Sequence, residues 1–150
     1  MDKRDFEKKY RPHLRVAFDW DAFEADEWTL EEIQLALPRD AHKIWTPWPT
    51  PPGRVASHSL GKTLSLLEVA EDPTLAGDEQ DTLFKHEDEL VDGVAIDAPA
   101  FALSGGRILL LDRNHRVAAA TILKRTSILE LVVISGPSLQ LLPDIARVDA

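Results

Sequence analysis

Asp112, Arg113, Asn114, His115 and Arg116 stand consecutively where an apolar run, Ile108-Leu-Leu-Leu111, gives way to an alanine-rich pattern ending in Ala118-Ala-Ala120. A strand that feeds straight into a helix creates an anion site. First-turn N–H groups have no acceptor inside the helix, and the aligned peptide dipoles add partial positive charge. Two arginines and a histidine on that turn make phosphate the natural ligand, and Arg116 can offer a two-pronged guanidinium fork to its oxygens. Asp112 suits a helix cap, a role that stabilises by about 1 kcal/mol, or a hold on a metal or a substrate hydroxyl. His115 reads either as a phosphate ligand or as a core histidine held by one hydrogen bond. The competing reading of the whole turn is a polar loop whose charges face water.

Several elements must position this turn. Ala98 to Leu103 and Ile108 to Leu111 read as a hairpin, joined by Ser104-Gly-Gly106, whose glycines tolerate the positive φ of tight turns. The helix from Asn114 to about Arg125 buries Val117 and Ala120, and Ile128 to Ile134, apolar and β-branched, reads as a buried strand. Upstream, Thr63 to Val69 has strand character, and Leu75 to Leu90 reads as an acidic amphipathic helix. The first 45 residues are acidic and aromatic: a short helix over Asp2 to Tyr10, a short strand over Leu14 to Phe18, and a helix from Thr29 to about Leu37. That last helix is read from Thr29-Leu-Glu-Glu32 as a capping box, with Pro38 stopping it. Trp45-Thr-Pro-Trp-Pro-Thr-Pro-Pro-Gly53 predicts an extended linker or strap, poor at joining a sheet and pinned by its two tryptophans.

Two other stretches invite chemistry. Gly61-Lys-Thr63 hints at a phosphate-binding P-loop, but Ala56 stands where the first glycine belongs and the preceding segment is proline-rich, so Lys62 reads as a surface residue. Asp19, Asp21, Glu24, Asp26 and Glu27 could gather Mg²⁺, but their spacing fits no ligand loop; an amphipathic surface segment with its aromatics inward is the simpler reading.

The turn and its surroundings resemble the ParB/sulfiredoxin superfamily, in which a strand, an Asp-Gly-x-His-Arg or Gly-x-His-Arg stretch and an alanine-rich helix follow one another. Asp112, Asn114, His115, Arg116, Ala119 and Ala120 fall on that pattern, and Asp92-Gly-Val-Ala-Ile-Asp-Ala-Pro-Ala-Phe-Ala-Leu103 matches the Gly-Val, proline and strand upstream. The resemblance spans roughly residues 55 to 135. Arg113 departs from it, standing where the family has a glycine that lets backbone approach the phosphate; it adds a second cation or marks a decayed pocket.

The resemblance implies a small mixed sheet with helices, an α/β (α+β) fold over 54–150, preceded by a 1–53 extension. It also implies binding of ATP or another nucleotide, with Mg²⁺ accompanying the phosphates. Arg113, Asn114, His115 and Arg116 would hold phosphates. One branch of the superfamily phosphorylates free serine, using a glutamate just after its first strand as general base. Glu68 stands at a comparable place, with Glu71 as fallback, and Asp112 completes the catalytic pair. The alternative places Glu68, solvated, at a strand edge. Function therefore divides into a nucleotide-dependent phosphotransferase or hydrolase acting on a small hydroxyl substrate, a non-catalytic nucleotide sensor presenting its extension to a protein partner, and a nucleic-acid-binding relative.

Composition narrows these. With 150 residues the chain can bury a proper core as one domain. No cysteine is present, which removes thiolate nucleophiles, disulfides and cysteine zinc sites, and with them the reductase chemistry of sulfiredoxins, where a cysteine precedes His-Arg and this chain has Asn114. A formal charge of −9 argues against a duplex-DNA surface, leaving a local basic patch of Arg107, Arg113, Arg116, Lys124 and Arg125. The charged start resembles no signal peptide, and no run reaches the roughly 20 apolar residues of a membrane helix, so a cytoplasmic protein is expected.

Overall fold

In chain order the elements are α1 (Lys3–Tyr10), α2 (Trp20–Ala25), β1 (Thr29–Leu37), β2 (Ile44–Pro49), β3 (Thr63–Ser65), α3 (Leu66–Glu71), β4 (Val94–Ala102), β5 (Ile108–Leu110), α4 (Asn114–Ile122) and β6 (Ser127–Ser135). They come from a computed structural model that describes residues 1–14, 16–49, 63–72, 94–136 and 141–142. Among these residues six strands form one mixed sheet in the order β1-β6-β4-β5-β2-β3. β6 pairs antiparallel with β1 and parallel with β4, while β5 pairs antiparallel with β4 and parallel with β2. The architecture is thus mixed α/β. The sheet draws strands from both sides of residue 53, so the expected extension contributes β1 and β2 to it.

One face of the sheet is covered by α3 and α4 and part of the other by α1 and α2. Along β6, Leu129, Leu131 and Val133 point to one side, where they meet Leu66 and Val69 of α3 and Val117 and Ala120 of α4. Val132 and Ile134 point to the other, packing with Phe101, Trp28 and the aromatic side chains of α1 and α2. From Leu131 to Ile134 the strand is buried on both faces and its sequence is continuously apolar, whereas Ile128 and Glu130 nearer its start are exposed on the second face. On the second face Phe6 lies 4.9 Å from Tyr10 and 5.3 Å from Phe23, ring centre to ring centre. The expected helix over Asp2 to Tyr10 is α1, with Asp2 as its cap.

Three expectations are corrected. Thr29 to Leu37 is strand β1, not a helix: Ile33, Leu35 and Leu37 recur at spacing two, and nine-residue pairing with β6 outweighs the Thr-x-x-Glu signal. The capping box lies instead at Ser65–Glu68. There Ser65 Oγ accepts the Glu68 N–H at 3.2 Å and Glu68 Oε1 accepts the Ser65 N–H at 3.1 Å, so the expected strand Thr63 to Val69 breaks into three residues of β3 followed by α3. The proline-rich strap, within its described part, is β2, seated between β5 and β3. Its pairing register shifts between Trp45 and Pro49, the stretch that holds Pro47, and the Thr46 hydroxyl donates to the Leu64 carbonyl at 2.8 Å there. Proline is tolerated in a sheet at such an irregularity.

Smaller differences have local causes. The described residues of the expected strand Leu14 to Phe18 are irregular. They lead into α2, with Phe18 against Trp20 at 4.3 Å and Asp19 accepting the Ala22 N–H at 3.0 Å. α4 stops at Ile122 rather than near Arg125, because Lys124 turns left-handed (φ 55°) and the Arg125 N–H returns to the Ala120 carbonyl at 2.9 Å. The helix expected over 75–90, Gly61 and Lys62 lie outside the described residues. No described helix is long and apolar enough to cross a membrane.

Candidate functional site

β5 ends against β4, where the Leu111 N–H donates to the Pro99 carbonyl at 3.0 Å, and the chain then turns into α4. Asp112 Oδ1 accepts the Arg113 N–H at 2.8 Å. Arg113, not Asp112, occupies the cap position, in the left-handed conformation (φ 65°, ψ 18°), and its own side chain makes no cap hydrogen bond. The first-turn amides of this nine-residue helix have no acceptor inside the helix itself. Asn114 is buried beneath them, its Nδ2 donating to the Leu110 carbonyl at 3.0 Å, which ties the helix start to the strand; its Oδ1 is buried without a partner. His115 and Arg116 are half-buried and both engaged by neighbours; the His115 ring lies 5.3 Å from that of Trp48 on the adjacent β2.

Left-handed geometry costs a non-glycine residue about 1 kcal/mol, because Cβ crowds the following carbonyl. Arg113→Gly should accordingly raise stability by about 1 kcal/mol in urea unfolding, while removing a cation from the turn. An unchanged or lowered stability would mean that Arg113 makes compensating contacts worth more than its strain.

On the side facing α1, Lys9 Nζ sits 2.7 Å from Asp97 Oδ2. That hydrogen bond holds the Asp97 carboxyl below its usual range, with a smaller pull from Arg113, and raises Lys9 in turn. The Tyr10 hydroxyl is buried beside them, and burial pushes its phenol up, assisted by Asp97 and Asp112. A cavity of 370 Å³ adjoins this group, lined by Lys9, Tyr10, Gln34, Asp97, Glu130 and Val132 among others.

Asp112, Arg113, Asn114, His115 and Arg116 are thus gathered on one turn, as the spacing requires. Glu68 is not on a strand edge: it lies in the first turn of α3, one carboxylate oxygen given to the Ser65 amide, and Glu71 is exposed at the end of that helix. The basic patch is also divided. Arg107 precedes β5, stacked on Trp45 and donating to the Ser104 carbonyl at 2.9 Å, and Lys124 and Arg125 follow α4, about 13 Å of helix from Arg113. From sequence Trp48 reads only as a pin for the strap, and Lys9 and Asp97 carry no signal; β2–β5 pairing sets Trp48 beside His115, and the packing of α1 on the sheet sets Lys9 on Asp97. Among the described residues no group of three or more His, Asp or Glu is placed to hold a metal ion. No family model, curated protein or solved structure matches the chain.

Proposed function

We propose that this protein binds the phosphate groups of a nucleotide, ATP or a relative, at the N-terminus of α4, within a ParB/sulfiredoxin-like arrangement. The observation that carries the reading is the left-handed turn that opens that helix, with Arg113, His115 and Arg116 together on it. Backbone N–H groups would receive phosphate oxygens, Arg116 and Arg113 would neutralise their charge, and Asn114 would hold the turn against Leu110. Mg²⁺ would arrive with the nucleotide, held largely by phosphates and water, and would supply charge neutralisation.

Transfer of the phosphoryl group to a small hydroxyl substrate, or to water, needs a base close to the attacking oxygen. Glu68, in the first turn of α3 directly after β3, is the residue to test for that role. Its engagement in the capping box favours a second reading, a nucleotide-binding module without turnover whose acidic N-terminal part meets a protein partner. The net charge of −9 favours both over a nucleic-acid surface.

Thermal shift with ATP, CTP and GTP, each with and without Mg²⁺, tests the site. A ligand at about 100 times its dissociation constant stabilises by about 2.7 kcal/mol. Arg116→Ala should weaken binding by roughly tenfold to a hundredfold, the loss of one charge-assisted contact. No shift with any nucleotide, or the same affinity in Arg116→Ala, removes the phosphate site. Phosphate release or transfer that is abolished in Glu68→Gln with binding intact establishes the enzyme; binding without turnover establishes the module.

A further inference from the structure

β1 is an edge strand nine residues long, and among the described residues nothing pairs with its outer side. The direction of its backbone groups follows from one contact. The Ala36 N–H donates to Asp40 Oδ2 at 2.8 Å and the Ala36 carbonyl accepts the Asp40 N–H at 2.7 Å, so Ala36 faces away from β6. Peptide groups alternate along a strand, and the β1–β6 register runs without a shift from Thr29 to Leu37. Leu30, Glu32 and Gln34 therefore point their N–H and C=O groups outward as well. Asp40, held by Arg39 and Lys43, closes the Ala36 end and leaves this row open.

Natural edges are guarded by charged side chains, proline or bulges, and β1 has no lysine, proline or register shift, only the carboxylates of Glu31 and Glu32. Its exposed side chains are Thr29, Glu31, Glu32 and Gln34. Across the sheet Gln34 is level with Glu130 and Glu130 with Asp97, so the ground beside the edge is acidic too; Lys9 on Asp97 and the Met1 amino group, 3.6 Å from Glu32, neutralise it in part. A second copy of the chain fits poorly. Centring antiparallel pairs on Glu32 or on Glu31 sets like charges directly opposite, centring on Ile33 brings Leu30 against Ala36, whose amide Asp40 occupies, and centring on Leu30 leaves only Thr29 to Glu31 of the strand to pair.

We propose that the outer edge of β1 takes up an extended segment of a partner protein, carrying lysine or arginine at alternate positions, as a seventh strand of the sheet. The backbone of Leu30, Glu32 and Gln34 would supply the ladder, and the partner's cations would lie beside Glu32 and Glu130.

The probe is a blocked peptide alternating lysine and valine, compared with one alternating glutamate and valine. The lysine peptide should bind and slow amide hydrogen exchange at Leu30, Glu32 and Gln34, and the glutamate peptide should do neither. Gln34→Pro removes an outward donor without touching the β6 ladder and should abolish binding. Glu32→Lys should weaken it by about tenfold or more, and serves alone if the proline variant does not fold. Unchanged exchange at those amides, equal binding of both peptides, binding retained in either variant, or protection of the edge by self-association without peptide would each overturn the proposal.

Discussion

Gly136→Ala should destabilise the protein by about 3 kcal/mol or more, the upper end of what overpacking costs, and lower its melting temperature by about 10 °C. A Cβ at Gly136 would sit 2.1 Å from Cε3 and Cζ3 of Trp28, well inside van der Waals contact. Thr29 pairs with Ser135, so one further step in the same register sets Trp28 opposite Gly136, and the indole lies across a position that only glycine leaves open. The ring cannot yield cheaply. It is 8% exposed, its Nε1–H donates to the Ala22 carbonyl at 3.2 Å, and its edge meets Phe101 at 6.2 Å. Moving it would disturb α2, which belongs to the same aromatic layer as α1. Trp28→Leu, destabilising alone, should make Gly136→Ala nearly neutral, a coupling that a double-mutant cycle reads directly. A Gly136→Ala variant within about 0.5 kcal/mol of the parent would show that the indole does not occupy this position.

The pattern of what the sequence discloses follows from how far each contact reaches along the chain. β6 and the β4–β5 hairpin are legible because their signals are local: a β-branched and apolar run interrupted only by Glu130 in one, and Gly105 and Gly106, at φ 73° and 75°, in the other. The turn from Asp112 to Arg116 is legible for the same reason, its residues being contiguous. Thr29 to Leu37 carries two local signals at once, a Thr-x-x-Glu and an alternation of Ile33, Leu35 and Leu37. Only pairing with a strand about a hundred residues away decides between them. Ser65-x-x-Glu68 is a true capping box, hidden by the apolar residues around it that suggest a strand. Trp45 to Pro49 joins the sheet because a register shift and the Thr46 hydroxyl accommodate its prolines, devices that composition does not announce. At the site, Trp48 reaches His115 only through parallel pairing of β2 with β5, and Asp97 nears Arg113 only through β4.

Leu110→Ala should cost about 2–5 kcal/mol, the range for emptying a fully buried leucine site. Leu110 is 0% exposed, ends β5, and packs in the layer that α3 and α4 share with the sheet. Short strands bury few side chains, so β5 depends heavily on each of its three residues. In urea the midpoint should fall with the slope unchanged, since the surface exposed on unfolding is nearly the same. The turn should respond differently from the core. Asn114 grips the Leu110 carbonyl, a backbone group that the substitution keeps, so the anchor beneath the α4 amides survives while the packing below it loosens. Asn114→Ala reverses this: it removes the anchor and costs only about 1 kcal/mol, the worth of one hydrogen bond, offset in part because the unpartnered Oδ1 goes with it. If phosphate binding resides at that turn, nucleotide affinity should be nearly retained in Leu110→Ala and lost in Asn114→Ala, opposite to the order of their stabilities. The same order for both quantities would mean that affinity simply tracks folding. A cost below about 1 kcal/mol for Leu110→Ala would place β5 outside the core altogether.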